Sequence, residues 1–330
     1  MDRFSTKCRS QYKPSAYVTV DEQLVTFRGR CGFKMFIPNK PGKYGMKVWI
    51  LADSTNSYCC NLQVYTGRRG NAREVNQGQR VVLELTQHLS GSGRHVTADN
   101  FFTSLALVRS LLSRQLTYCG TIRRNKGEIP VEMQASRNRE VHSSLFGFQQ
   151  DTTLVSYVPR QGKSVILLSS LHHDNSRSED EMRKPVIILD YNSYKAGVDT
   201  LDQVVRCYSS KRKSNRWPFS MFCNILDIAS YNAYILYVLM NPDFANRSSH
   251  RRRLFLMELA LSLLQLPPSD DEVSLEPSAA TASSRVGPTR IKGRCQLCPR
   301  GNDRKVRQKC IRCEKFACND HARPVCTDCM

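Results

Sequence analysis

Apolar and polar residues alternate through AYVTVDEQLVTF (16–27), a period of two that predicts a half-buried strand. GFKMFIP (32–38) and KVWILAD (47–53) predict two more, joined by the turn-rich PNKPGKYG. RHVTAD (94–99) predicts a fourth strand, NFFTSLALVRSLLSR (100–114) an amphipathic helix, and TYCGTI (117–122) a return to strand. A second β-rich stretch follows in TLVSYVP (153–159), SVILLSS (164–170) and PVIILDY (185–191). Beyond Asp199 the pattern is helical, with a long apolar helix over 217–240 that puts Pro218 near its first position, and an amphipathic one over 251–266. Strands, a strand–helix unit, an inserted β region and late helices together predict an α/β fold with a nuclease-type sheet interrupted by an insertion.

The 217–240 segment has the length of a membrane span but carries Asn224, Asp227 and Asn232. An Asp near mid-bilayer costs roughly 2.5–3.5 kcal/mol, so a buried helix is expected and no membrane partner. The opening MDRFSTKCRSQYK has no apolar stretch of the kind a signal peptide needs, and an intracellular, reducing setting is expected. Residues 266–293, rich in Pro, Ser and Ala without apolar periodicity, predict a disordered linker.

Charge and cysteines change the picture. The net charge of +20, from 49 Lys and Arg against 29 Asp and Glu, points to a polyanionic partner, most often nucleic acid. Half of the 14 cysteines stand between 295 and 329, as Cys295-x-x-Cys298, Cys310-x-x-Cys313, Cys318-x-x-His321 and Cys326-x-x-Cys329. Eight ligands in such pairs suit two tetrahedral Zn²⁺ ions. Sequential sites would join the first pair with the second; a cross-brace would join first with third and second with fourth. The short 314–317 spacer favours the cross-brace. With so few apolar residues, metal would supply most of the folding free energy of this module. Residues 285–330 carry a formal +8, and +5 with seven thiolates and two Zn²⁺, so phosphates suit the surface better than a basic histone tail. KRKSNRW offers Lys211, Arg212, Lys213 and Arg216 as phosphate contacts and Trp217 as a base-stacking ring; the alternative is a solvated turn with Trp217 in the core. Arg123, Arg124 and Lys126 in RRNK form a second basic group. Among the seven histidines only His321 has a ligand context.

A nuclease needs carboxylates at strand ends. Asp21 ends YVTV, Asp99 ends HVTA, and Asp199 and Asp202 lie three apart in GVDTLDQVV, on one face of an expected helix. Each has a plainer reading: Asp99 and Asp199 as helix caps, Asp21 and Glu22 as a solvated strand terminus, Asp53 as a turn residue held in reserve. Carboxylates gathered from distant positions repel and favour a divalent cation, and hard oxygen ligands suit Mg²⁺ or Mn²⁺.

VDEQLVTFRGRCGFKMFIPNKPGKYG, TADNFFTS, GTIRRNKGEIP, GVDTLDQ and KSNRWP, followed by the cysteine-rich tail, resemble the piggyBac transposase family from about residue 11 onward. The resemblance implies an RNase H-like DDE/DDD catalytic domain over 1–265, with a β-rich insertion at about 128–196 and C-terminal helices at about 199–265, then the 266–293 linker and a cross-brace zinc domain over 294–330. It implies catalytic aspartates at Asp21, Asp99 and Asp199, with Asp202 as a fourth acidic residue, and Mg²⁺ or Mn²⁺ as the catalytic ion. It further implies hairpin formation at excised ends, transposon-end DNA as ligand of the zinc module, TTAA targets, a homodimer, and a nuclear location. Family members carry a substantial helical region before the first aspartate, whereas 20 residues precede Asp21 here, so a truncated N-terminal part is expected. Two functions follow as expectations: a metal-dependent DNA transposase, or a non-catalytic nuclear DNA-binding protein descended from one.

Overall fold

The computed structural model describes residues 2–67 and 74–264, together with 293–295, 297, 298, 305, 306, 316 and 318. The chain divides into two units, Met1–Pro267 and Pro268–Met330.

In the first unit, helix α1 (Asp2–Gln11) leads into β1 (Tyr17–Thr26), β2 (Met35–Phe36), β3 (Tyr44–Asp53) and β4 (Cys59–Val64). Helix α2 (Gln77–Leu85), β5 (His95–Ala98), α3 (Leu105–Leu112) and β6 (Thr117–Thr121) follow. Next come β7 (Ser144–Gln149), β8 (Thr152–Arg160), β9 (Lys163–Ser169), and helices α4 (Val186–Tyr194), α5 (Gly197–Cys207), α6 (Trp217–Met240) and α7 (Arg251–Leu264). Among the described residues the strands form one nine-stranded sheet in the order β2-β3-β1-β5-β6-β9-β8-β7, with β4 paired to β3. Strand β1 runs antiparallel to β3 and parallel to β5, and β5 runs parallel to β6.

Alternation along the strands separates two cores. Val18, Val20, Trp49 and Leu51 pack with Val81, Val82 and Leu85 of α2 and Leu107, Val108 and Leu111 of α3. Val48, Ile50 and Ala52 pack with Val198, Leu201 and Val205 of α5 and Met221, Ile228 and Tyr231 of α6. Each fully buried side chain of this size contributes about 1.5–3 kcal/mol. The long apolar helix α6 seats its polar residues inside the protein. Ser210 N–H donates to Asp227 at 2.7 Å, and Asn232 exchanges two 2.9 Å hydrogen bonds with the backbone of Cys59.

Several elements depart from the sequence reading. PVIILDY forms helix α4 rather than a strand: Pro185 stands at its N-cap, and Ile187 and Ile188 fill the small core against Cys119, Val155 and Leu167. A short run of β-branched residues fits either element, and the contact surface decides. The helix after Asp99 starts at Leu105, capped by Ser104, whose Oγ accepts from Leu107 N–H at 3.2 Å. GFKMFIP yields only the two-residue β2. The strands of the expected insertion continue the main sheet, because β9 pairs directly with β6. Helices α1 and α2 and strands β4 and β7 were not anticipated.

In the second unit, β10 (Gly293–Arg294) pairs antiparallel with β11 (Lys305–Val306) just before Cys295.

Candidate metal centre beside a basic cavity

The parallel pairing of β1 with β5 covers only Tyr17–Val20 against His95–Ala98. Strand β5 then ends, while β1 continues to Thr26. Asp21 and Asp99 are the next positions in register, so the fold delivers both carboxylates to the point where the sheet opens. Asp21 thus sits mid-strand, not at a strand end. Ligand oxygens of Asp21, Glu22 and Asp99 all lie within 4.8 Å of one another.

Asp99 is held by an Asx turn: Phe101 N–H donates to its Oδ1 at 2.8 Å, and Thr103 Oγ1 donates to its carbonyl at 2.9 Å. It does not cap a helix. Asp199 lies in the first turn of α5, whose N-cap, Ala196, lacks a side-chain cap. The Asp199 side chain is 65% exposed and reaches the cluster through Lys40, whose Nζ stands 3.3 Å from Asp199 Oδ1 and 3.9 Å from Glu22 Oε1. The same ammonium donates to the Glu22 carbonyl at 3.0 Å. Lys40 therefore ties residues from three distant stretches into one group.

Asp202 behaves differently. It belongs to the buried stripe Val198, Leu201, Asp202, Val205 of α5. Its carboxylate accepts from Gln23 Nε2 at 3.1 Å and from Arg206, and Gln23 accepts in turn from Asn224 of α6 at 2.8 Å. The spacing of three puts Asp202 near Asp199 but turns it into a network that locks α5 and α6 onto β1. Asp53 is saturated too, receiving Tyr12 Oη, Ser15 N and Oγ, and Thr55 N within 2.6–2.9 Å.

The electrostatics follow from crowding. Burial and then the Glu22 charge push the Asp21 carboxyl from 3.8 up to about 8, Asp99 adding to the rise and Lys40 opposing it. Asp99 is also raised, first by burial and then by Glu22, against the Phe101 N–H and the charges of Arg123 and Lys40. For Lys40, burial works downward, but Asp21, Asp199 and Glu22 together hold it above its ordinary value. One ammonium does not balance four carboxylates. Hard oxygen donors with surplus negative charge in a half-buried site fit a divalent cation such as Mg²⁺ or Mn²⁺.

The basic residues are dispersed. Arg123 donates from Nε to Asn100 Oδ1 at 3.2 Å, next to Asp99, and with Lys126 lines a cavity of about 500 Å³. Arg124 is exposed nearby. Arg212, Lys213 and Arg216 are exposed, but Lys211 turns inward and donates to the carbonyl and, at 2.9 Å, the hydroxyl of Thr26. In this structure Lys211 holds the chain rather than presenting a phosphate contact. Trp217 is 36% exposed, with its ring edge-on to Phe33 at 4.9 Å, between the two alternatives the sequence offered.

In the second unit the sulfurs of Cys295, Cys298 and Cys318 lie within 4.8 Å of one another, and Cys318 N–H donates to Cys295 Sγ at 3.2 Å. Three convergent sulfurs fit a structural Zn²⁺ with one further ligand. The first cysteine pair thus meets a residue of the third. Cys310, Cys313, His321, Cys326 and Cys329 lie outside the described residues.

Two features escaped the sequence reading. Lys40 sits in PNKPGKYG, which reads only as a turn. A Ser169–His172–Asp190 relay, with both links at 2.8 Å, joins residues the sequence separates by polar loops. Ser169 is fully buried, so the relay fastens α4 to the end of β9 instead of offering a nucleophile.

The mixed α/β architecture with its large sheet matches that of a solved transposase. The sequence profile of the family described as Transposase IS4 matches residues 1–234, and the chain belongs to that family, in its piggyBac branch. Human PiggyBac transposable element-derived protein 3 is 25% identical over 273 residues, 77% of this chain and 46% of that protein. Human PiggyBac transposable element-derived protein 2 is 21% identical over 245 residues, 69% of this chain and 41% of that protein. A piggyBac transposase synaptic complex with hairpin DNA, solved by cryo-electron microscopy, is 37% identical with a TM-score of 0.71, over 100% of this chain and 72% of that one. The chain spans less than half the length of the curated relatives it matches.

Proposed function

We propose that the first unit carries the strand-cleavage centre of a DNA transposase, an RNase H-like site in which Asp21, Asp99 and Asp199 hold Mg²⁺ or Mn²⁺. The observation that carries this reading is the register-matched convergence of Asp21, Glu22 and Asp99 within 4.8 Å, with Asp199 drawn in by Lys40. A divalent ion bound there supplies activation of a water or a 3′-hydroxyl and neutralisation of the leaving oxygen. The chain's own residues do the rest. Asp99, fixed by its Asx turn, orients one ligand. Asp202 acts through Gln23 and Arg206 as a positioning residue for α5. Arg123, Arg124, Lys126, Arg212, Lys213 and Arg216 bear on the phosphates of duplex DNA, with Trp217 at the margin of that surface. Zn²⁺ held by the tail cysteines folds a basic module that binds transposon-end DNA, and the protein works in the nucleus, as a dimer, on TTAA targets.

The Lys40 ammonium, 3.3 Å from Asp199 where a metal ion would otherwise draw on that carboxylate, favours a second reading, a DNA-binding descendant that no longer cuts. One experiment separates them. End-labelled duplex DNA incubated with the full chain and Mn²⁺ should be nicked, and Asp99→Asn should abolish nicking while leaving binding intact. Binding by both proteins with cleavage by neither establishes the second reading.

A further inference from the structure

Lys47 stands where its strand should carry a hydrophobe. Positions 47, 49 and 51 of β3 share a face, and Trp49 and Leu51 are buried in the core under α2 and α3. Lys47 is half-buried at the rim of that core, its Nζ 5.0 Å from the ring centroid of Phe101, 5.7 Å from Trp49 and 6.0 Å from Tyr65. No carboxylate of the described residues pairs with it. The aromatic faces attract the ammonium electrostatically but leave its charge unneutralised. An anion has room to enter beside it, because Lys47 borders the cavity of about 500 Å³ that Arg123 and Lys126 also line. The acidic residue on its wall, Glu74, is bound to Arg80.

One wall of the cavity, at Phe101, is tied to the metal centre. A Cβ at Gly78 would lie 2.6 Å from the Phe101 carbonyl oxygen, so α2 and the Phe101 turn are in close backbone contact. Phe101 N–H in turn grips the Asp99 carboxylate at 2.8 Å. Three cations call for phosphate, the Tyr65 ring offers a surface to a base, and the volume is that of a small-ligand pocket rather than a duplex groove.

We propose that this cavity receives one nucleotide of a DNA strand, unstacked beside the phosphate that lies at the carboxylates. Lys47, Arg123 and Lys126 hold its phosphate, and Tyr65 packs against its base. The proposal rests on the cleavage-centre reading, and extrusion of a nucleotide would bend the backbone toward the acidic cluster.

The test uses the full chain in resin-treated buffer free of added divalent ions, so that no strand is cut and tail zinc is retained. The probe is a short single strand carrying one etheno-adenine. Wild type should bind it with a change in base fluorescence. Lys47→Met, which keeps the stem over the rings, should weaken binding about tenfold, as expected for one charge-assisted contact, while duplex affinity changes less than about twofold. Arg123→Gln, at an exposed position, should weaken single-strand binding as well, and duplex binding with it, because Arg123 also bears on duplex phosphates. Equal single-strand affinity in all three proteins, no binding by wild type, or a fluorescent base that stays solvent-like on binding would each overturn the pocket. Cleavage failure is a separate result: a chain that captures the probe but never nicks duplex DNA with Mn²⁺ refutes the cleavage centre and leaves the pocket standing.

Discussion

Asp21→Asn should stabilise the protein, and only above acid pH. Burial and the neighbouring Glu22 charge push the Asp21 carboxyl up to about 8 in the folded chain, against 3.8 when unperturbed. The folded state therefore holds a proton that the unfolded state releases. The raised value means that stability is fully present below about pH 4 and is lost as pH rises toward about pH 8. A shift of this size corresponds to an upper bound on the order of 6 kcal/mol, at roughly 1.4 kcal/mol per pH unit. Asparagine keeps the shape, removes the charge, and should flatten that slope. Urea unfolding followed through the buried Trp49 in buffer stripped of free divalent ions measures it across the pH range. The variant should match wild type near pH 4 and exceed it by several kcal/mol near pH 8, and Mn²⁺ should restore wild type but not the variant. Equal slopes in the two proteins would refute the crowded-carboxylate argument.

Lys40→Met removes the ammonium that competes for the carboxylates, so Mn²⁺ affinity measured by calorimetry should rise at least about tenfold; an unchanged or weaker affinity contradicts the counter-ion role. Asp227→Ala strips the acceptor from Ser209 Oγ and Ser210 N–H at a buried site and should cost about 2–4 kcal/mol in urea unfolding; a loss below about 1 kcal/mol would show that water takes its place. Elemental analysis of the full chain should find two zinc ions, and Cys295→Ser should lose one of them; retention of both would remove Cys295 from the ligand set.

The strands that place the site were legible because alternation survives in YVTVDEQLVT and HVTA. Asp21 and Asp99 stood out because each directly follows or interrupts such a run, whereas Asp199 stood out only as an acidic residue at a helix start. Register was not. That β1 outlasts β5, leaving Asp21 and Asp99 side by side, depends on pairing that a single strand's pattern does not encode. Lys40 was hidden because a lysine between two prolines reads as a solvated turn, and its value comes from Asp199, far along the chain. Asp202 shows the converse. Helical spacing put it with Asp199, but burial of the Val198–Val205 stripe turns it to Gln23. The strand expected at PVIILDY failed where short apolar runs are ambiguous by themselves, and packing against Leu167 settled it as helix.

A divalent ion shared by carboxylates from β1, the end of β5 and the start of α5 is the centre of the proposed chemistry. Mn²⁺ binding followed by electron paramagnetic resonance on the full chain tests it directly. Asp21→Asn, Asp99→Asn and Asp199→Asn should each lose the bound Mn²⁺ signal, whereas Asp202→Asn, whose carboxylate serves Gln23 and Arg206, should keep it. Bound Mn²⁺ unaffected by all three substitutions, or lost only in Asp202→Asn, would contradict the assignment.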